Sequence, residues 1–194
     1  MTQAASSYAR LDGDKYFTPA WVTEALLSVE HFSATVLDPA AGAGHILDVL
    51  AANFIPCEGI DIAPDAPDIQ ERDFLLRLAP ADHIVANPPY GISSRLAVQF
   101  IEHSLELTRP RGGKVAMLLK VGFDSAKGRR HLFDEHPAFA VEYRLLERIR
   151  WANLEQSAAG PTENHSWFVW DWRKRPGPAV KAYLPLKPRE PADA

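Results

Sequence analysis

"VLDPAAGAGHILDVL", residues 36–50, runs from a β-branched segment into a glycine-containing turn and out into an amphipathic helix. Asp38 closes the apolar run, Gly42 and Gly44 punctuate the turn, and Ile46, Val49 and Leu50 recur at helical spacing. Glycines let a backbone pass close to a ligand at a helix start, and the small Ala40, Ala41 and Ala43 keep the crevice open. The turn is not a dinucleotide fingerprint, because Leu47 stands where the third glycine would be, and no lysine follows as in a phosphate loop. A nucleotide-like ligand fits such a turn; a pyrophosphate is not required.

The pattern repeats outward from this stretch. "TPAWVTEALLSV" (18–29) opens with Thr18 as the expected N-cap and Pro19 in the first helical turn. "CEGIDIA" (57–63) reads as a strand ending on Asp61, and "DHIVANPPY" (82–90) as a third strand broken at Asn87 by Pro88 and Pro89. "SRLAVQFIEHSLELT" (94–108) is a long amphipathic helix and "KVAMLLKVGF" (114–123) a buried strand. "GRRHLFDEH" (128–136) reads as a short helix, and "AVEYRLLERIRW" (140–151) and "NHSWFVWDW" (164–172) as two late strands forming an antiparallel pair across a long loop. Alternating strands and helices imply an α/β fold with a mostly parallel sheet and helices on both faces. Such a sheet collects its ligand at the carboxyl ends of the strands, where Asp38, Asp61 and Asn87 would gather.

Composition bounds the rest. The chain has 194 residues, 46% of them hydrophobic, which is one domain's length with enough apolar surface for a core. Cys57 is the sole cysteine, which excludes a disulfide framework and fits a reducing, cytoplasmic setting. No apolar run reaches a membrane span, so no membrane partner is expected. The net charge of −4 hides an asymmetry: residues 1–90 hold 4 Lys/Arg against 13 Asp/Glu, residues 91–194 hold 17 against 12. A basic half of this kind hints at a polyanion-facing surface. The histidines at 131, 136 and 165 show no metal spacing, and no metal is expected. Residues 1–14 read as a flexible N-terminus, 15–175 as the catalytic domain and 176–194 as a proline-rich tail.

Three further groups carry chemistry. Asp61, 23 residues after Asp38, is placed to accept from both hydroxyls of a ribose. Asp73 could take an amine at a base edge while Phe74 packs on the base; equally, Asp73 could face solvent with Phe74 in the core. In "NPPY" (87–90), the Asn87 side-chain oxygen and the Pro88 carbonyl could form a two-acceptor clamp suited to an NH₂ group, made rigid by Pro88 and Pro89; the plain alternative is a proline turn closing the strand. A flat ring bearing that amine would stack on Tyr90.

With these residues in place, the sequence resembles the class I S-adenosylmethionine-dependent methyltransferases, specifically those acting on N6 of adenine in DNA. The likeness rests on "YFTPAWV" (16–22), "DPAAGAG" (38–44), Asp61, "DF" (73–74) and "NPPY" (87–90), in that order, and covers about residues 15–172. It implies a Rossmann-like, mostly parallel seven-stranded sheet with an antiparallel last strand. It also implies S-adenosyl-L-methionine as cofactor and DNA, duplex or single-stranded, as partner, with the target base flipped out at a few kcal/mol. Tyr16 would belong to the N-terminal cofactor motif, and Thr18 would hold the methionine carboxylate. Ala40 and the backbone near Gly42 would line the methionine moiety, with Asp38 and Gly44 cofactor-binding residues of the same motif. Asp61 would take the ribose, Ile62 would lie against the cofactor adenine, and Asp73 with Phe74 would read that base. Asn87 and Pro88 would accept from the target N6, with Pro89 holding the turn and Tyr90 stacking on the base. Trp167 and Phe168 would pack near the flipped base, while Lys127, Arg129 and Arg130 would touch phosphates. No separate target-recognition domain is evident. Sequence reading would therefore fall to loops such as 91–95 and 152–164, to a second subunit or recognition partner, or be lax. An RNA base methyltransferase, a protein glutamine methyltransferase and a non-catalytic module of the same fold are the competing readings.

Overall fold

The computed structural model describes residues 16–151 and 161–184. Its eight strands form one sheet in the order β3-β2-β1-β4-β5-β7-β6-β8. They are β1 (Val36–Asp38), β2 (Cys57–Asp61), β3 (Gln70–Glu71), β4 (His83–Ala86), β5 (Lys114–Lys120), β6 (Phe139–Arg144), β7 (His165–Asp171) and β8 (Val180–Tyr183). Strands β3, β2, β1, β4 and β5 pair in parallel, and β7 enters antiparallel between β5 and β6. This is the expected α/β fold with an antiparallel late strand.

Period-two alternation sorts the strands' side chains onto two faces. From β5, Val115, Met117 and Leu119 join the core under α3 (Arg95–Thr108) with Phe100, Ile101 and Leu105. Ala116 and Leu118 face the other way, toward α1 (Ala20–Leu27) and α2 (His45–Ala52), through Val22, Leu26, Ile46 and Leu50. Fully burying each such Leu, Ile or Val contributes about 1.5–3 kcal/mol. Trp167 and Trp170 lie on opposite faces, and each buried indole finds an acceptor: Trp167 Nε1 donates to the Val22 carbonyl at 2.9 Å, Trp170 Nε1 to that of Leu132 at 2.6 Å.

Several local expectations change. Thr18 does not cap α1; Pro19 occupies the N-cap position without a side-chain hydrogen bond, and the Thr18 hydroxyl serves Asn87 instead. The arginine-rich strand stops at Arg144 rather than running to Trp151, and the helix expected over 128–136 is a 3₁₀ segment over Lys127–Leu132. An eighth strand, β8, lies in the segment read as a proline-rich tail and pairs in parallel with β6. Its anchor is Glu142, nearly enclosed on β6, which takes Lys181 Nζ at 2.7 Å, Arg144 Nη2 at 3.2 Å and Ser166 Oγ at 2.9 Å. Burial pushes this carboxyl upward, but Lys181, Ser166 and Arg144 together hold it below the usual carboxylate range. Residues 1–14, the end of the tail and loop residues 152–160 lie outside the described residues.

Candidate active site

The parallel strands β2, β1 and β4 bring their carboxyl ends to one edge, and the loops leaving them build the site. Asp38, the last residue of β1, is 1% exposed, and its Oδ1 accepts the Ala40 N–H at 3.1 Å. Its carboxyl is pushed up to about 7, foremost by burial; the Ala40 N–H pulls it down and the Asp61 charge pushes it further up. The turn that follows crosses to β2. The Ala41 N–H donates to the Ile60 carbonyl at 3.1 Å and the Gly42 N–H to Asp61 Oδ2 at 2.8 Å. Gly42 and Gly44 adopt φ values of 53° and 88°, which side-chain-bearing residues rarely take. A Cβ on Gly42 would meet nothing within 4 Å, so the turn borders open space.

Asp61 does more than the sequence suggested. Besides fastening the glycine turn, its Oδ1 accepts the Ala63 N–H at 2.8 Å, so one carboxylate orders both loops at the crevice. A carboxylate has about four lone-pair sites, and two such bonds leave room for a ribose hydroxyl. Ile62, beside it, is 70% exposed and presents an apolar face at the crevice. Farther along, Asp73 accepts the Leu75 N–H at 2.9 Å, capping a 3₁₀ turn. The Phe74 ring is enclosed against Phe100 and His103, at centroid distances of 5.0 and 4.8 Å. Phe74 is thus a core residue, and of the two readings left open for it the structure selects packing.

Asn87 follows β4 directly. Its Nδ2 donates to the Tyr16 carbonyl at 3.2 Å and to Thr18 Oγ1 at 3.3 Å, across 71 and 69 residues of chain. With the nitrogen so engaged, Oδ1 is the end left to accept. Pro88 is buried and Pro89 half-buried, so the turn is packed as well as rigid. The Tyr90 hydroxyl accepts the Lys120 N–H at 2.7 Å, and its ring meets Phe123 edge-on at 6.1 Å. Beyond Tyr90, Gly91, Ser93 and Ser94 all have positive φ, and Ile92 is 82% exposed. For the two serines that backbone costs on the order of 1–3 kcal/mol each, strain of the sort found beside binding sites.

The residues expected to face a polyanion divide. Arg129 lies over the Phe123 ring, 3.9 Å from its centroid, and donates to the Phe123 carbonyl at 2.9 Å. It therefore backs the platform under Tyr90. Arg130 pairs with Asp134 at 2.8 Å and Glu135 at 3.2 Å, whereas Lys127 is exposed. Trp167 and Phe168 are fully enclosed, which removes them from any surface; period-two burial in a sheet covered on both sides claims them. The aromatics beside the partners of Asn87 are instead Tyr16 and Phe17, from the "YFTPAWV" stretch, and, packed on Tyr16, Trp151, which no motif singled out. Phe17 stacks on His45, at 4.9 Å and 22°, and Tyr16 packs on Trp151 at 5.3 Å and 48°. Among the described residues no cluster of His, Cys, Asp or Glu could hold a metal, and no helix is long and apolar enough to cross a membrane.

The fold recurs in solved structures. It is the Rossmann-like methyltransferase fold. A modification subunit assigned to a type I restriction enzyme from Vibrio vulnificus YJ016 aligns with a TM-score of 0.58 at 15% identity, over 91% of this chain and 48% of that one. The 23S rRNA methyltransferase ErmE aligns with a TM-score of 0.56 at 19% identity, over 82% of this chain and 71% of its own. TrmN from Thermus thermophilus aligns with a TM-score of 0.50 at 20% identity, over 78% of this chain and 47% of its own. The chain thus spans about half the length of the Vibrio subunit. No protein-family model matches the chain, and no curated protein matches it by sequence.

Proposed function

We propose that the protein is an S-adenosylmethionine-dependent methyltransferase acting on the exocyclic N6 amine of adenine in DNA. The observation that carries this reading is the Asn87 carboxamide, its nitrogen turned to Tyr16 and Thr18 and its oxygen left as an acceptor at the mouth of a rigid Pro88–Pro89 turn.

The residues of the crevice fit the cofactor. S-adenosylmethionine carries two cationic centres, a ribose diol and an adenine. Asp38 offers a buried carboxyl, Gly42 and Gly44 an open backbone cradle, Asp61 spare acceptor capacity and Ile62 an exposed apolar face. Thr18 Oγ1, which accepts from Asn87, still has its own proton to give to a carboxylate. When bound, the cofactor supplies a methyl group on a sulfonium centre. The chain's own residues prepare the acceptor. An adenine amine is a poor nucleophile because its lone pair is delocalised into the ring. Asn87 Oδ1 and the Pro88 carbonyl draw on the two amine hydrogens, favour a pyramidal nitrogen and free the lone pair. They are fixed before the charge develops, which is transition-state stabilisation rather than general-base catalysis. Tyr90, held at its hydroxyl by β5 and at its ring by Phe123, is the stacking platform for the flipped base. The restriction-modification subunit and the rRNA methyltransferase among the structural neighbours support a nucleic-acid substrate.

The test incubates the protein with labelled cofactor and, in parallel, duplex DNA, single-stranded DNA, RNA and protein. Label in N6-methyladenine of DNA, lost in Asn87→Ala, is the expected result. Label entering RNA alone would move the substrate to RNA, and label entering protein alone would end the nucleic-acid reading.

A further inference from the structure

We propose that Tyr16 and Thr18, braced by Trp151, are the positioning residues of the methyl-transfer site: they decide which end of the Asn87 carboxamide meets the target amine. The inference rests on the reading of Asn87 as the clamp. A carboxamide is nearly symmetric in shape, and half a turn about its last bond exchanges an acceptor for two donors. Presented the wrong way, Asn87 would aim N–H groups at an NH₂ and repel it. The Tyr16 carbonyl has no proton to give, so the group 3.2 Å from it must be the nitrogen, and Thr18 Oγ1 at 3.3 Å supplies the second acceptor. Oxygen-outward is therefore imposed by the N-terminal segment.

That carbonyl needs its own support, because a main-chain group on an entering segment is only as fixed as its neighbours. Tyr16 packs on Trp151, and Trp151 meets His165 edge-on at 5.1 Å and 87°. His165 is 4% exposed and belongs to β7, so the brace reaches the sheet. Phe17, between the two acceptors, stacks on His45, the first residue of α2 after the glycine turn. The same three residues thus connect the cofactor turn to the target clamp. Trp151 belongs to none of the motifs and contacts none of the residues assigned to the cofactor other than Tyr16 in the interactions described.

The test has an arm that needs no activity. In ¹⁵N-labelled full chain, the Asn87 side-chain amide pair, identified by its loss in Asn87→Asp, is expected to exchange slowly with solvent. Thr18→Val and Trp151→Ala are expected to speed that exchange at least about 10-fold, with Thr18→Ser and Trp151→Phe restoring it. In the methyl-transfer assay, Trp151→Ala is expected to lower kcat roughly 10- to 100-fold while the KM for S-adenosylmethionine stays within about twofold. Trp151→Phe, which keeps a ring against Tyr16, separates loss of the brace from loss of the fold. Unprotected Asn87 amide protons in the wild type, or a wild-type kcat in Trp151→Ala, would overturn the proposal. Protected amide protons in a chain inert toward every acceptor would refute the methyltransferase reading while leaving the orientation in place.

Discussion

An Asp38→Asn substitution removes a buried charge from the end of β1 while keeping the side chain's shape. The Asp38 carboxyl, ordinarily at 3.8, is pushed up to about 7 with burial as the main cause. The folded chain therefore holds this proton more tightly than the unfolded chain. The group's contribution to stability is fullest below 3.8 and is lost as pH rises, with the loss complete once pH passes about 7. The gap corresponds to about 4 kcal/mol, of which more than half falls between pH 5 and 8. Asparagine keeps an acceptor for the Ala40 N–H and cannot ionise, but its amide hydrogens need partners that the buried carboxylate did not. Urea unfolding should therefore find Asp38→Asn more stable than the wild type by about 1–3 kcal/mol at pH 8, and the two within about 1 kcal/mol at pH 5. S-adenosylmethionine affinity, measured by calorimetry at pH 8, should fall about 10-fold or more, since the carboxylate is the anionic partner for a cationic ligand. Parallel pH–stability curves for the two proteins would refute the argument, because no ionisation would then be coupled to folding at this site.

Two further substitutions test how the site is carried. A Cβ on Gly113 would lie 1.8 Å from the Asp82 carbonyl oxygen, so Gly113→Ala must push apart the turn entering β5 and the start of β4; a loss of about 3 kcal/mol or more in urea unfolding is expected. Lys181→Ala removes one partner of nearly enclosed Glu142; as the Lys181 side chain is 48% exposed, a modest loss of about 1 kcal/mol is expected, together with faster amide exchange across Val180–Tyr183.

The strand ends were legible because each combined a period with a punctuation mark: Asp38 and Gly42 after β1, Asp61 after β2, Pro88 after β4. These signals are local, and the structure keeps them. What could not be read were the partners of each side chain across the chain. Thr18 looks like an N-cap because a Thr–Pro pair normally opens a helix, but Asn87, 69 positions away, claims its hydroxyl. Trp167 and Phe168 look like recognition aromatics until both faces of β7 are covered, and Phe74 is drawn into the core by Phe100 from α3. Strand β8 was hidden by Pro176, Pro178 and Pro185, and its register depends on an ion pair to Glu142 that no local pattern announces.

The charge asymmetry of the sequence has a similar fate, and it leads to a measurable expectation. Arg111 pairs with Asp82, Lys114 with Glu30, and Arg130 with Asp134, while Arg129 is spent on Phe123. Among the described residues, Arg95, Lys127 and Arg150 are exposed, and Lys120, whose Nζ lies 5.9 Å from the Tyr90 ring centroid, is held loosely by Glu163 at 3.4 Å. A surface with about four cations to offer phosphates releases few counterions, so the logarithm of DNA affinity should fall against the logarithm of salt concentration with a slope of about −3 to −4. Fluorescence anisotropy with a labelled duplex from low to moderate salt reads this directly. A slope steeper than about −6 would mean that many more phosphates are neutralised than these residues allow. The basic half would then be a nucleic-acid footprint after all, and the argument that its arginines mainly hold the fold together would fail.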